Sequence, residues 1–265
     1  MFDFINLGAE KIQLFILLMM RVGGIMLTAP VFSHRAIPKK FTVSMSLGLT
    51  VVLLPIMIST PLPETANLVD LLILCFREMF VGVLIGTVFS FIFIAARLAG
   101  SIVGYQIGFS MVNVMDPNST SPVSILGELW FLLGTLIFLI INGHHMIISG
   151  LVNSFQLIPL GMATPSADIG EWLLKYSSFV FVLAVKFAAP VMITIFLLEI
   201  AMGVLARTMP QMNIFIVGFP LKIFVGLLVF GLSLPAFSMI LQKVNLGINT
   251  ELMNLMKLYN VSGSI

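Results

Sequence analysis

The feature that most constrains this chain is a series of long apolar runs joined by short polar links. Eight runs lie at 12–33, 41–60, 68–96, 98–115, 123–142, 146–160, 172–206 and 214–241. A helix needs about 20 apolar residues to cross a bilayer, and all but 98–115 and 146–160 reach that length. Charged residues make up only 9% of the chain, against roughly 25% in soluble domains. We therefore predict an all-α integral membrane protein that crosses the membrane several times.

The link between the last two runs is unusual because it is itself half apolar. The stretch 207–222 is flanked by cations and interrupted by Pro210, Gln211, Asn213, Gly218, Pro220 and Lys222. Irregular backbone at membrane depth is tolerated only where protein or a water-filled cavity covers it. We therefore predict long helical hairpins with broken helices, packed in a multi-subunit assembly with a pore or a filled centre.

A second irregular segment lies at 104–122 and ends in the strong turn signal Asp116–Ser119. Apolar and polar residues alternate before that turn. Methionine is unbranched and adapts to different surfaces, so the residues Phe109, Met111, Val112, Val114 and Met115 could repack as a group. The residues alone leave two interpretations open, a re-entrant gate that lines a pore or an ordinary interhelix loop.

Small residues recur every fourth position in two places, at Gly82 and Gly86 and again at Ala96, Gly100, Gly104 and Gly108. Such stripes let helix backbones approach closely in lipid. We favour a helix contact within the chain, with a seam between subunits as the alternative.

Ionisable residues lie inside the apolar runs at Arg21, Arg77, Glu78, Lys186 and Glu199, and Arg207 follows the penultimate run. A charge at the bilayer centre costs a few kcal/mol unless it is paired or wetted. We predict ion pairs that serve assembly, with proton or ion coupling as the alternative. The cations clustered at 34–40 favour a cytoplasmic position for that loop.

Signatures of catalysis and cofactor binding are absent from the sequence. There is no GxxxxGK[ST], HExxH or GxSxG pattern. His144 and His145 are adjacent, unlike the i, i+4 spacing of metal pairs, and the lone Cys75 has no accompanying base. We therefore predict no catalytic residue, no metal, no cofactor and, since the charges are spread singly, no nucleic-acid partner.

Several motifs together resemble one family. They are Ala29–Lys39, Asp116–Ser119, Asn142–His144, Ile158–Gly161 and, most specifically, Met209–Pro220. In this order, over essentially the whole chain, they resemble the FliR family of type III secretion export-gate proteins.

The resemblance implies a non-enzymatic core subunit of the flagellar export gate in the bacterial inner membrane and flagellar basal body. Its partners would be FliP, FliQ, FlhB, FlhA, membrane lipid and the unfolded flagellar subunits that are exported. One domain, 1–265, would form part of a helical cone that stands largely above the membrane plane. It would divide into a FliP-like part, a FliQ-like hairpin and a polar tail, at about 1–171, 172–241 and 242–265.

The family also has a plug loop in its pore, and the matching positions here are about 108–122. The resemblance implies that the closed channel is obstructed by Phe109, Met111, Val112, Met115 and Asp116. An injectisome subunit is the nearest alternative within the family. A secondary transporter with helices broken at 104–122 and 207–222 is the alternative outside it.

Overall fold

The computed structural model describes residues 2–34, 37–58, 60–63, 65, 67–109, 124–209, 211 and 213–261. Helices dominate these ranges. The elements in chain order are α1 (Phe2–Thr28), α2 (Lys39–Met57), α3 (Leu68–Ile107), α4 (Ile125–Ile140), α5 (Gly143–Leu157), β1 (Ala163–Pro165), α6 (Asp168–Thr208), α7 (Ile214–Lys257) and β2 (Tyr259–Val261).

Five of the described helices, α1, α2, α3, α6 and α7, are long and apolar enough to cross a membrane, by length and composition. The pair α4 and α5 supplies a sixth if the two count as one span. Asn142, in the left-handed conformation with a φ of 57°, separates that pair. The prediction of an all-α, multi-pass integral membrane protein is confirmed.

Two boundaries differ from those that the apolar runs suggested. The run 68–96 and the part of the run 98–115 up to Ile107 belong to one 40-residue helix, α3, that continues through Arg97. Arginine is a good helix former, and the guanidinium of Arg97 pairs with Glu128 at 3.3 Å and lies 3.8 Å from the centroid of the Phe131 ring. A single charge therefore does not end the helix.

The irregular backbone predicted over 207–222 is also shorter than expected. α6 continues to Thr208 and α7 begins at Ile214, so the prediction of a broken helix is wrong for 214–222. Pro220 lies inside α7. Proline removes one backbone hydrogen bond, but a helix in apolar surroundings still satisfies its other backbone groups best by staying helical.

The chain divides into two compact units. The first comprises Met1–Phe91, Asn142–Lys175 and Asn245–Ile265, and the second comprises Ile92–Ile141 and Tyr176–Val244. The first unit has a mainly aliphatic core from α1, α3 and α5, with almost completely buried side chains that include Leu17, Leu18, Ile25, Ile85, Phe89, Ile147 and Leu151.

The second unit has an aromatic core around Trp130, which is fully buried. The Trp130 ring lies 5.0 Å from Phe230 and 6.0 Å from Phe237 between centroids. Phe187 meets Phe237 edge to face at 4.7 Å, an arrangement that aromatic rings prefer. These contacts hold α4, α6 and α7 together within the unit.

A small antiparallel strand pair completes the first unit, with Thr164 of β1 opposite Asn260 of β2. An isolated two-stranded pair is marginally stable in water. Here Ala163 and Tyr259 are buried and hold the pair against the rest of the unit. The segment 242–265, expected to be a polar tail, is thus largely the end of α7 and a strand.

Candidate functional site

A fully buried ion pair joins α1 and α3 in the first unit. Arg21 Nε donates to Glu78 Oε2 at 2.6 Å, and neither side chain is exposed to solvent. A buried charge is stable only when it is paired and its remaining polar atoms find hydrogen bonds. Glu78 therefore has its counter-charge within the chain, without a contribution from another subunit.

Other segments of the first unit supply further polar contacts to both side chains. Arg21 Nη1 donates to the carbonyl oxygen of Ile158 at 2.9 Å and to Ser154 Oγ at 3.2 Å. Glu78 Oε1 accepts from the backbone N–H of Gly161 at 2.8 Å. Since Gly161 has a φ of +76°, a conformation that glycine adopts readily, the chain can turn its N–H toward the carboxylate. The pair thereby ties α1, α3, α5 and the turn before β1 together.

Two aromatic residues close this buried centre. The Arg21 guanidinium lies 4.7 Å from the centroid of the Phe155 ring, within the range of a cation–π attraction. Tyr259 of β2 is only 6% exposed. Burial raises the pKa of Tyr259; the charge of Glu78 adds to this effect and that of Arg21 opposes it.

Glycine allows α1 and α3 to approach closely at this centre. A methyl group at Gly24 would lie 2.6 Å from the Met79 carbonyl oxygen, and one at Gly82 would lie 3.0 Å from the Arg21 carbonyl carbon. One at Gly86 would lie 2.9 Å from the Ile25 carbonyl oxygen. The small-residue spacing therefore coincides with a backbone contact inside the first unit.

In the second unit, α3 ends directly before the predicted plug loop. Gly108 has a φ of +97°. Its N–H bonds the carbonyl of Tyr105 at 3.2 Å, and the N–H of Phe109 bonds that of Gly104 at 3.0 Å. This is the double hydrogen bond of a Schellman cap, which ends a helix sharply. Phe109 is the last described residue before the loop, and it is partly exposed.

The loop returns to the same end of α3 at Ser124. Ser124 Oγ accepts from the backbone N–H of Gly127 at 3.1 Å and donates to the carbonyl of Gly100 at 3.2 Å. A methyl group at Gly100 would lie 2.5 Å from Gly127 N, so α3 and α4 touch through their backbones. Both ends of the segment 110–123 are thus anchored on the last turns of α3.

The loop base also contacts α7 within the second unit. A methyl group at Gly108 would lie 2.6 Å from the ring of Phe219, and one at Gly226 would lie 2.5 Å from the side chain of Ile107. Four of the predicted plug residues, Met111, Val112, Met115 and Asp116, lie outside the described residues. Their role stays a prediction.

The predicted hairpin lies in α6 and α7. Glu199 Oε1 and Lys222 Nζ form an ion pair of 2.6 Å across it, with side chains that are 46% and 22% exposed. Gln211 is exposed in the turn, Gly218 is buried and Pro220 is exposed on α7. Pro210 lies outside the described residues.

Three predicted assembly residues form no ion pair with the described part of the chain: Arg77, Lys186 and Arg207. Arg77 is half-buried on α3, and Lys186 and Arg207 are exposed on α6. Arg207 lies in the last turn of α6, where a cation interacts favourably with the helix dipole. Lys186 lies in the interior of α6, so the helix dipole does not stabilise its charge in this way.

Broad apolar faces of the hairpin helices in the second unit are exposed. On α6 the residues at least half exposed include Phe181, Val182, Val185, Ile193, Phe196, Leu197, Ile200 and Val204, and on α7 they include Ile216, Val217, Phe224 and Leu232. Apolar surface of this extent indicates contact with lipid or with other protein chains.

No group of three or more His, Cys, Asp or Glu residues in the described ranges lies close enough together to hold a metal ion. The rings of His144 and His145 lie 4.3 Å apart between centroids, at the start of α5.

Several residues of these sites were not predicted from the sequence: Ser154, Gly161, Ser124 and Phe219. A buried arginine requires hydrogen-bond acceptors, but the sequence does not show which loop provides them. The small-residue stripe at Gly100 indicated a close helix contact, yet nothing in it identified Gly127 as the partner.

Comparison with known proteins gives the family. The model of the bacterial export proteins, family 1, matches residues 12–246. The chain belongs to this family. It is 31% identical over 252 residues to the flagellar biosynthetic protein FliR of Bacillus subtilis (strain 168), covering 94% of this chain and 96% of the relative.

Two further FliR proteins show the same level of similarity. The protein of Escherichia coli (strain K12) is 31% identical over 217 residues, with 82% of each chain covered. The protein of Aquifex aeolicus (strain VF5) is 30% identical over 215 residues, covering 81% of this chain and 83% of the relative. The resemblance to the FliR family is therefore confirmed over most of the chain, including both helices of the hairpin.

Proposed function

We propose that this chain is a non-enzymatic core subunit of the flagellar type III export gate in the bacterial inner membrane. Together with FliP and FliQ it forms the channel through which unfolded flagellar subunits leave the cytoplasm, and it associates with FlhB and FlhA. The proposal is supported by the flagellar biosynthetic names of the relatives and by the five helices suited to a membrane.

The observation that carries this proposal is the apolar surface of the α6–α7 hairpin. The best membrane-spanning windows of α6 and α7 are only 39% and 22% buried inside the chain. Their exposed faces offer long apolar surfaces suited to packing against further helical hairpins. We propose that FliQ covers these faces, and that 172–241 is the FliQ-like hairpin that follows a FliP-like part over 1–171.

The exposed charge on α6 supports the same arrangement. Lys186 lies beside the exposed apolar residues Val182 and Val185. An isolated ammonium group in apolar surroundings requires a carboxylate or water, and no carboxylate of the described residues pairs with it. In the proposed gate, an acidic side chain of a neighbouring subunit supplies the partner.

The loop between Gly108 and Ser124 is the proposed plug. Its two flanks are anchored by the Schellman cap at the end of α3 and by the Ser124 cap of α4. A loop held at both ends can change its own conformation without disturbing the helices that carry it. Phe109 and the following apolar residues would obstruct the closed channel and move aside for an exported chain.

Co-purification tests the subunit role. A tagged full-length chain is expressed alone or together with the FliP and FliQ of the same bacterium, and each preparation is examined by size-exclusion chromatography in detergent. We expect a stable complex on co-expression and an aggregated or unstable chain alone. A monodisperse lone chain that moves a small solute across liposomes would instead support a transporter.

A matched pair of variants locates the FliQ contact. Leu197→Arg places a charge on a hairpin residue that is 59% exposed, and Leu246→Arg places one on a residue of the first unit that is 78% exposed. We expect Leu197→Arg to reduce the FliQ recovered with the complex and Leu246→Arg to leave it unchanged. Equal recovery for both variants would contradict the proposed contact.

A further inference from the structure

A groove of about 620 Å³ lies between α1 and α2 in the first unit. Its walls are mostly apolar side chains, among them Met19, Met20, Leu27, Val43 and Met79. This volume falls within the usual range of ligand sites, about 300–1,000 Å³. Neither Arg21 nor Glu78 lines the groove.

The two ends of the groove differ in chemistry. Lys39 and Ser33 lie at one end, where α1 has finished and α2 begins. Lys40 follows Lys39 on the chain, and both lysines are exposed. Within the described ranges, no carboxylate forms an ion pair with either lysine. The positive charge at the Lys39 end therefore attracts an anion, whereas the apolar walls of the rest of the groove disfavour one.

The groove lies along the candidate membrane-spanning segments in a position suited to an amphiphilic ligand. Its wall on α1 runs from Met19 to Leu27 and is about 12 Å long at 1.5 Å per residue. Glu10–Thr28 and Lys39–Met57 are both candidate spans, so Lys39 marks the membrane interface and Met19 lies deeper. Leu27 and Val43 are 60% and 50% exposed, which leaves the groove open to the lipid side.

We infer that this groove is a binding site for one anionic phospholipid. An acyl chain lies against the methionine and leucine side chains, and the phosphate of the headgroup lies at Lys39 and Lys40. A zwitterionic lipid carries no net charge to balance the two ammonium groups, and a purely apolar helix of another protein carries none at all. The charge at one end and the apolar walls together favour the anionic lipid.

Photocrosslinking tests this site on the full-length chain, co-purified with FliP and FliQ and placed in nanodiscs. The probe is a phosphatidylglycerol that carries a diazirine in its acyl chain, and the matching phosphatidylcholine serves as the neutral comparison. We expect phosphatidylglycerol to label peptides that contain Met19–Leu27 or Thr42–Ser46 more strongly than phosphatidylcholine does. Each lysine near an anionic headgroup contributes about fivefold in affinity, so Lys39→Gln with Lys40→Gln should reduce this labelling at least fivefold.

Two matched glycine variants separate the groove from the general lipid shell. Gly23 lines the groove, Gly48 of α2 does not, and a methyl group at either position meets no atom within 4 Å. Gly23→Leu should fill the groove and remove the labelling, whereas Gly48→Leu should retain it. Lys11→Gln, an exposed cation nearer the other end of α1, should also retain it.

Three outcomes would overturn the inference. Equal labelling by the two lipids would show a lipid shell without headgroup selection. Labelling that survives Gly23→Leu would place the acyl chain outside the groove. Absence of labelling from the groove peptides of the complex would show that another protein covers this surface.

Discussion

Arg21 and Glu78 have no access to water, so the effect of losing one partner depends on what then surrounds the other. Glu78→Gln leaves the Arg21 guanidinium buried without a counter-charge. Breaking a buried pair from one side costs about 3–5 kcal/mol, and we expect the free energy of unfolding of the chain, measured in its complex with FliP and FliQ in detergent micelles, to fall by that amount. Glu199→Gln is the control, since the 46% exposed carboxylate of Glu199 should contribute about 0–1 kcal/mol to its pair.

A double variant separates the charge from the packing. Arg21→Met with Glu78→Leu removes both charges and keeps apolar volume, which is often close to neutral for stability. We expect it to recover part of the stability that Glu78→Gln loses, because the Gly161 N–H and the Ile158 carbonyl then lack their buried partners. If Glu78→Gln and Glu199→Gln were equally mild, the buried pair would not organise the first unit.

Tyr259 gives the first unit a dependence on alkaline pH. Burial raises its pKa in the folded state above the ordinary value near 10. The folded state therefore holds the phenolic proton more tightly than the unfolded state does. This contribution to stability is complete below pH 10 and is lost as the pH rises through the folded pKa.

The check is thermal unfolding between pH 9 and about 11.5, over the range where the phenol begins to titrate in the unfolded chain. Over this pH range, the melting temperature of the Tyr259→Phe variant should fall less than that of the unmodified chain. Tyr105→Phe, which removes a phenol that is 69% exposed, should retain the full alkaline decrease. Identical pH profiles for the two variants would contradict the burial argument.

The sequence indicates which single residues need special surroundings, but it does not identify their partners. Arg21 and Glu78 stand out because charge inside apolar runs is costly. Their pairing depends on the relative rotation of α1 and α3, which the apolar pattern leaves undetermined because most positions on α3 are apolar. Ser154 and Gly161 come from segments more than 75 residues away in the chain, so no local pattern reveals them.

Helix contacts through glycine give a prediction about α1 and α3. Gly82→Ala places a methyl group against the Arg21 backbone, with the Gly24 Cα at 3.1 Å. The two helices must move apart to admit it, and overpacking of this kind costs about 1–3 kcal/mol. Gly48→Ala has open space and should stabilise α2 by about 0.5–1 kcal/mol, because alanine is the better helix former.

Denaturant unfolding of both variants in the same detergent measures the difference. A stabilising Gly82→Ala would show that the contact between α1 and α3 is looser than the structure has it. Both substitutions replace glycine with alanine inside a helix, so intrinsic helix propensity cancels between them. The remaining difference in stability between the two variants reflects the packing of the α3 backbone against the α1 backbone.

The apolar runs predicted the existence of the helices better than their ends. The break at Asn142–Gly143 was readable because asparagine and glycine both tolerate the turn conformation. Arg97 and Pro220 do not mark helix ends, since α3 and α7 continue through them. In apolar surroundings the need to satisfy backbone hydrogen bonds outweighs the local preference of one residue.

The family resemblance is the basis for the proposed assembly, which the physics of one chain does not predict. Composition and run length predict a membrane protein with many helices. They do not distinguish a transporter from a subunit of a larger gate, because both expose apolar faces. The match over 12–246 decides the family. The exposed apolar faces of the hairpin in the second unit are consistent with a chain whose surface is covered by other subunits.

The proposed plug loop leads to a prediction about the complete gate. Deleting 110–120 removes most of the apolar residues proposed to obstruct the channel and leaves the caps at Gly108 and Ser124 in place. In cells that express the chain together with FliP and FliQ, we expect the deletion to raise the leakage of small ions, measured as faster membrane depolarisation. The same deletion expressed without FliP and FliQ is the control and should cause no added leakage, because the proposed channel wall needs all three subunits. Unchanged permeability in cells that contain an intact assembled complex would remove the plug assignment, and equal leakage in the control would show that the chain conducts ions alone.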